Sequence, residues 1–311
     1  MKYIIHVGLP KCGSTFLQKI VFNNIKKSSY EYFEKLENEK KQILKHCKAL
    51  REQKTVCRLV TEKKIFISKE QLVGFCPSYY KVYAEKNLKF FSKNSHIILV
   101  IRKPDEFLSS CYTSMITNNR IGKMPQYYFE INNHLNHGNK FFIKTFSLKD
   151  FNYQTLIDEY NSRFKKVTVI KFEHLFKSKN LNSILNPYNI FISNNLKKYK
   201  PINRSPGIFY IQGMLFMFKF FRLFSYILTN TFILKKLIEN RYKGDVISKE
   251  DRITSIIIKF FLLDKILYFL SVNVFKKKFN IKKFNNNYFD LKQLEIEYNR
   301  LPELKHYTNN Y

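Results

Sequence analysis

The sequence predicts an α/β fold, three layers around a central parallel sheet, with a helical region towards its C-terminal end. Three observations carry the prediction. Short, β-branched, continuously apolar runs recur up to about residue 175, the pattern of strands buried on both faces. Segments with apolar residues at helical spacing alternate with them, and such alternation builds parallel sheets through crossover helices. From about Gly207 the apolar runs become long, aromatic and helical in period.

Residues 2–7 (KYIIHV) form the first expected strand. Residues 14–25 carry Phe16, Leu17, Ile20, Val21 and Ile25 at helical spacing, so residues 8–13 make a strand-to-helix loop. Residues 31–54 read as an exposed, charged helix. Further strands are expected over 63–68 (KKIFIS), 96–102 (HIILVIR) and 167–172 (VTVIKF). Pro104, just after the run at 96–102, suits the first turn of a helix. Residues 131–140 and 284–288 read as loops.

Two later stretches, from Gly207 and from Ile253, read as a helical pair. Lys219 and Arg222 interrupt the first, and Lys259, Asp264 and Lys265 the second. Ionisable groups at the centre of a membrane span cost several kcal/mol in sum, which favours packing on the α/β domain. A basic, aromatic helix lying in the membrane interface is the alternative for residues 207–280. The expected organisation is an α/β core over 1–206 and an aromatic helical region over 207–311, facing acceptor or membrane.

Composition narrows the partners less than its extremes suggest. Lys and Arg number 55 against 24 Asp and Glu, a formal charge of +31, which attracts polyanions of many kinds. The skew towards Lys, Asn, Ile, Phe and Tyr matches A/T-rich codons, so charge by itself selects no partner. Five cysteines (Cys12, Cys47, Cys57, Cys76 and Cys111) form neither a CxxC pair nor a ligand-like spacing with His. Disulfide frameworks and zinc sites are therefore not indicated, and a reducing cytoplasm is the expected compartment. The opening MKYIIHVGLPKC has too short an apolar run for a secretory signal.

The chemistry begins in the first loop, HVGLPKCGSTFL over residues 6–17. After a strand, the backbone N–H groups of a tight glycine loop and of the next helix's first turn converge on one spot and favour phosphate. Gly8 and Gly13 permit the turn, and Ser14 and Thr15 supply hydroxyls; those two residues could otherwise merely cap a helix. In the ATP-binding form of a P-loop the lysine follows the second glycine. Here Lys11 stands two places before Gly13, inside a P-loop-like turn.

GLPKCGSTFLQ resembles the 5′-phosphosulfate loop of the sulfotransferases, with its Pro-Lys-x-Gly-[Ser/Thr]-Thr core. The family's second signature is an Arg at a strand end, Pro two residues later and Ser eight after the Arg. Arg102, Pro104 and Ser110 stand at those spacings in IRKPDEFLSSCY, and Tyr112 matches an aromatic position beyond them. VTVIKFEHL also resembles a family strand segment that often ends Tyr-Glu-Asp-Leu. The likeness, to bacterial carbohydrate-type members on a P-loop-like fold, runs through motifs from about Lys2 to Leu175.

The resemblance implies 3′-phosphoadenosine 5′-phosphosulfate as donor, with no metal. It implies that Lys11, Gly13, Ser14, Thr15 and Phe16 hold the 5′ end, with Lys11 reaching the oxygen between phosphorus and sulfur. Arg102 and Ser110 then take the 3′-phosphate, a task that suits the rigid fork of an arginine. Arg204, in KPINRSPG, lies where members often carry a further nucleotide-binding loop; a plain turn is the alternative.

Transfer to a hydroxyl needs a base. In KKIFISKEQLVGF, Glu70 stands just past a strand, as in bacterial members with Ile-Ser-x-Glu-x-Leu, and is the candidate; an exposed Glu on a first helical turn is the alternative. His6 and His96 are expected to be structural. A glycan or glycolipid acceptor is implied, with no nucleic acid partner, in the cytoplasm; peripheral contact with the inner membrane through 207–280 is the alternative. Two rival classes stay open: a nucleotide phosphotransferase, which predicts Mg²⁺ dependence, and a non-catalytic polyanion- or membrane-binding protein.

Overall fold

The computed structural model describes residues 1–18, 28–52, 54–73, 79–117, 151–190, 207–217, 263–270 and 291–309. Six strands form one sheet: β1 (Tyr3–His6), β2 (Tyr30–Tyr32), β3 (Lys64–Ser68), β4 (His96–Ile101), β5 (Lys166–Lys171) and β6 (Leu304–Thr308). Their order is β2-β3-β1-β4-β5-β6. The first five are parallel and β6 runs antiparallel to β5. Every residue of β1 and of β4 is buried. Alternate side chains of a strand point to opposite faces, so the sheet is covered on both, as the three-layer α/β reading requires.

The order carries the function. From β1 the chain goes first to one side of the sheet, to β2 and β3, then crosses to β4 on the other side. In open parallel sheets ligands bind at such a reversal, outside the carboxyl ends of the strands. The register pairs the last residues of β1 and β3, His6 with Ser68, whereas β4 and β5 run on together past the His6–Ile98 pair to Ile101 and Lys171. The loops after β1, β3, β4 and β5 all emerge on this edge.

The flanking helices show why they form. In α3 (Tyr80–Phe91) the buried residues Tyr80, Tyr83, Ala84, Asn87, Phe90 and Phe91 recur at helical spacing. In α5 (Tyr153–Asn161) Tyr153, Leu156, Ile157 and Tyr160 do the same, and the Asn152 side chain accepts the Thr155 N–H at 2.8 Å to cap the first turn. Asn87 is the polar node between them. Its amide donates to the Leu72 carbonyl at 2.7 Å and to the Tyr160 hydroxyl at 3.0 Å, while its oxygen faces His46 Nε2 at 2.9 Å. The turn after β3 is thereby tied to the core.

Three elements differ from the sequence reading. The charged helix expected over 31–54 gives way at its start to β2, a 3₁₀ turn at Phe33–Lys35, and then α2 (Glu37–Arg51). Tyr30 and Tyr32 are buried on either side of exposed Glu31, a strand period too short to register in a charged stretch. Helix α2 also buries Ile43, His46, Cys47, Ala49 and Leu50, so it is amphipathic and not wholly exposed. Finally, the stretch 207–311 is not helical throughout, because β6 extends the sheet after helix α10 (Leu291–Arg300). An antiparallel edge strand with mostly exposed side chains leaves no apolar run to read.

The chain divides into two compact units. The first comprises residues 1–104, 147–202 and 290–311 and holds the whole sheet. The second comprises 105–146 and 203–289. Its described parts are α4 (Pro104–Thr117), which starts at the expected proline, a helix over 208–217, and a helix at Leu263–Leu270. Within it a Cβ on Gly213 would lie 2.8 Å from Leu267 Cδ2, so these two helices touch where one lacks a side chain. Among the described residues no helix is long and apolar enough to cross a membrane. The expected loops at 131–140 and 284–288 lie outside the described residues.

Candidate active site

The loop after β1 turns on two left-handed residues, Lys11 at φ 64° and Gly13 at φ 81°. Glycine takes this conformation without penalty, but for lysine it costs roughly 1–2 kcal/mol. Such strain, concentrated in a phosphate-type loop, is what functional positions hold. It leaves the Lys11 side chain exposed and turns its carbonyl towards the neighbouring loop. There the Arg102 guanidinium donates from Nη1 to the Lys11 oxygen at 3.1 Å. The two segments singled out in the sequence, 91 residues apart, are joined by this bond.

The glycines are needed for space as well as for turning. A Cβ at Gly8 would stand 2.2 Å from His6 Nε2, and one at Gly13 2.9 Å from both Leu175 Cδ2 and Phe172 Cε2. His6 is wholly buried beneath the loop, its Nδ1 2.8 Å from Ser68 Oγ, and Nε2 has no partner among the described residues. Burial drives its pKa down to about 3, so it packs as a neutral ring, the structural role expected of it.

Ser14 is buried at the start of the helix over 14–18, and its hydroxyl donates to Glu70 Oε1. Glu70 opens a 3₁₀ turn, Glu70–Leu72, directly after β3. The Leu72 carbonyl is the one held by Asn87 and, at 3.2 Å, by the Tyr160 hydroxyl, which anchors the turn that carries Glu70. Lys69 N–H bonds the His6 carbonyl at 3.1 Å, tying the turn to the end of β1. The sequence-expected base thus lies against the hydroxyl of the anion loop. Phe16 stacks edge-on against Phe176 with ring centroids 4.4 Å apart. Thr15 is half-buried on the same helical turn.

Several groups around Arg102 were not singled out in the sequence. Its guanidinium lies over the Phe172 ring at 4.6 Å. The Arg102 carbonyl accepts from the Tyr153 hydroxyl. Glu173 accepts the Lys103 N–H on Oε1 at 3.3 Å and the Tyr298 hydroxyl on Oε2. Phe172 and Glu173 belong to the short helix α6 (Phe172–Leu175) at the end of β5. The likeness of this stretch to a family segment was the available signal for them. Tyr153 and Tyr298 carried none, since each is one tyrosine among 21.

Lys11, Gly13, Ser14, Thr15, Phe16, Glu70 and Arg102 are therefore gathered at one edge of the first unit. Ser110 lies on α4 in the second unit, partly exposed. Arg204 lies outside the described residues.

A family model described as "Sulfotransferase domain" matches residues 2–180. No curated protein sequence matches significantly. Among solved structures, a sulfotransferase from Alicyclobacillus acidocaldarius is similar at 12% identity and TM-score 0.43, over 64% of this chain and 86% of that one. The family match spans more than half of the residues and runs through the Lys11 loop, the Glu70 turn and the Arg102 strand end alike. On that match, the chain belongs to the sulfotransferase domain family.

Proposed function

We propose that the chain transfers a sulfonyl group from 3′-phosphoadenosine 5′-phosphosulfate to a hydroxyl of a glycan or glycolipid. The observation that carries this reading is the Arg102–Lys11 bond. It brings the guanidinium of one signature and the lysine loop of the other to a single edge, with Glu70 a hydrogen bond away from the same loop.

Lys11, Gly13, Ser14, Thr15 and Phe16 take the 5′-phosphosulfate, and Arg102, Ser110 and Arg204 take the 3′-phosphate. Glu70 removes the acceptor's proton as its oxygen attacks sulfur in line. A new S–O bond forms, the bond from sulfur to the bridging oxygen breaks, and that oxygen leaves on the bisphosphate. Lys11 stabilises the charge developing there, a contribution of the kind made by oxyanion holes, so the step needs no metal. The Glu base and the basic surface support a carbohydrate acceptor. The same reading expects the protein in the cytoplasm, with contact of 207–280 with the inner membrane surface as the alternative role for that stretch.

The test is calorimetric binding of 3′-phosphoadenosine 5′-phosphate, against ADP with Mg²⁺, to wild type and Arg102→Ala. Metal-independent binding that weakens by about 1.5–3 kcal/mol in the variant is expected. Preference for ADP with Mg²⁺ overturns the reading in favour of a phosphotransferase. Binding of neither nucleotide, with retention on anionic vesicles, overturns it in favour of a surface-binding protein.

A further inference from the structure

The turn after β4 is held more firmly than a strand end requires. Its backbone is bonded on both sides: Tyr153 donates to the Arg102 carbonyl, and the Lys103 N–H donates to Glu173 at 3.3 Å. Glu173 uses its other oxygen to accept from Tyr298, whose ring in turn carries the Lys171 ammonium 4.5 Å from its centroid. Burial lowers the Lys171 pKa, as for a cation held partly out of water. Beyond Lys103 the chain passes straight into Pro104 and helix α4. Arg102 thus stands at a strand end where the one peptide group that follows it is held at both its C=O and its N–H, and among the described residues its guanidinium rests on the Lys11 carbonyl and the Phe172 face.

A carboxylate beside a site for anions opposes the ligand, so its presence calls for an offsetting role. Both Glu173 oxygens point to protein donors, which absorbs the charge locally and leaves its effect geometric. An arginine discriminates between phosphate groups only when its fork is held in one direction; a mobile one acts as a diffuse charge.

We propose that Glu173 is a positioning residue that sets donor selectivity. With Tyr298, it clamps the Lys103 peptide so that Arg102 favours a nucleotide carrying a second phosphate over one carrying only the 5′ group. The inference rests on the donor reading above. It also gives the C-terminal helix α10, which lies beyond the family-matched residues 2–180, a place in the donor site.

The experiment measures the affinities of 3′-phosphoadenosine 5′-phosphate and of AMP for the full chain as wild type, Glu173→Ala, Glu173→Gln and Tyr298→Phe. Wild type is expected to prefer the bisphosphate by at least about tenfold. Glu173→Ala and Tyr298→Phe shrink that ratio by about fivefold or more, with AMP affinity nearly unchanged. Glu173→Gln restores it, because its amide oxygen still accepts the Lys103 N–H. A wild type that does not distinguish the two nucleotides overturns the donor reading itself. A wild type that does, with the ratio kept in Glu173→Ala and Tyr298→Phe or with both affinities falling equally, overturns the role of Glu173 alone. Should Glu173→Ala fail to fold, Tyr298→Phe, which removes one hydroxyl, decides the matter.

Discussion

The two ends of the same sheet treat their polar groups in opposite ways. At the amino ends of the strands, His96 engages both ring nitrogens, Nδ1 with the Tyr188 hydroxyl at 2.6 Å and Nε2 with Thr168 Oγ1 at 2.7 Å. Thr168 in turn meets His306 Nδ1 at 2.9 Å, so one line of hydrogen bonds crosses β4, β5 and β6. At the carboxyl ends, His6 engages one nitrogen, Lys11 is strained and exposed, and Arg102 holds a neighbouring loop. Groups that satisfy one another rigidify a core. Groups aimed outward from a rigid edge are available to a ligand. The first end closes its polar groups on one another, and the second holds Lys11, Glu70 and Arg102, the residues proposed for the reaction.

That division can be broken or sharpened by substitution. The largest expected effect is that of Glu70→Gln, which slows transfer by about 10²–10⁴ while sparing the melting temperature. Its bisphosphate affinity stays level or rises, since the Ser14 hydroxyl has one proton and donates it to Glu70 in this state. A parallel loss of binding and rate would remove Glu70 from the role of base. Lys11→Ala comes next, with kcat lower by about 10²–10³ and a smaller change in bisphosphate binding, read by single-turnover rates alongside calorimetry.

Acid reads two histidines buried as neutral rings, His6 at the carboxyl edge and His46 in the core beside Asn87. Burial holds His6 at about 3 and His46 at about 4, both below the ordinary imidazole value of about 6.5. The unfolded chain therefore takes up protons on these groups before the folded chain does. Their contribution is whole above about pH 6.5 and is lost as pH falls from there towards the folded values. Between pH 7 and 5 each loses about 2 kcal/mol, which chemical denaturation at the two pH values will show. Flat stability over that range would mean that neither ring is buried neutral. The smallest effect is that of Thr168→Val, which breaks the line at the other end: about 1–3 kcal/mol of stability with bisphosphate affinity unchanged. Altered affinity in that variant would mean that the two ends are coupled.

How much of this was legible depends on what each residue had to do locally. Strands β1, β3, β4 and β5 are apolar enough to read directly, and Lys11, Gly13 and Arg102 sit in spacings with a chemical reason. Strand β2 is three residues with a single alternation, and β6 is a polar edge; neither needs an apolar run, so neither leaves one. The groups that hold the turn at Arg102 were hidden for a different reason. Tyr153 reaches the Arg102 carbonyl from 51 positions away and Tyr298 reaches Glu173 from 125, and only the fold determines that they meet. Glu70 was legible as a carboxylate past a strand, but its bond to Ser14 was not.

The antiparallel strand β6 also fixes an order of events during synthesis. The Lys11 loop, the Glu70 turn, Arg102 and Glu173 leave the ribosome before residue 180, whereas Tyr298 and β6 follow more than a hundred residues later. Until they arrive, the outer edge of β5 presents its backbone N–H and C=O groups unpaired, which invites pairing with other chains. The segment over 291–308 covers that edge and also brings the Tyr298 hydroxyl to Glu173. Protection of that edge and the proposed clamp on Arg102 thus depend on one segment of chain.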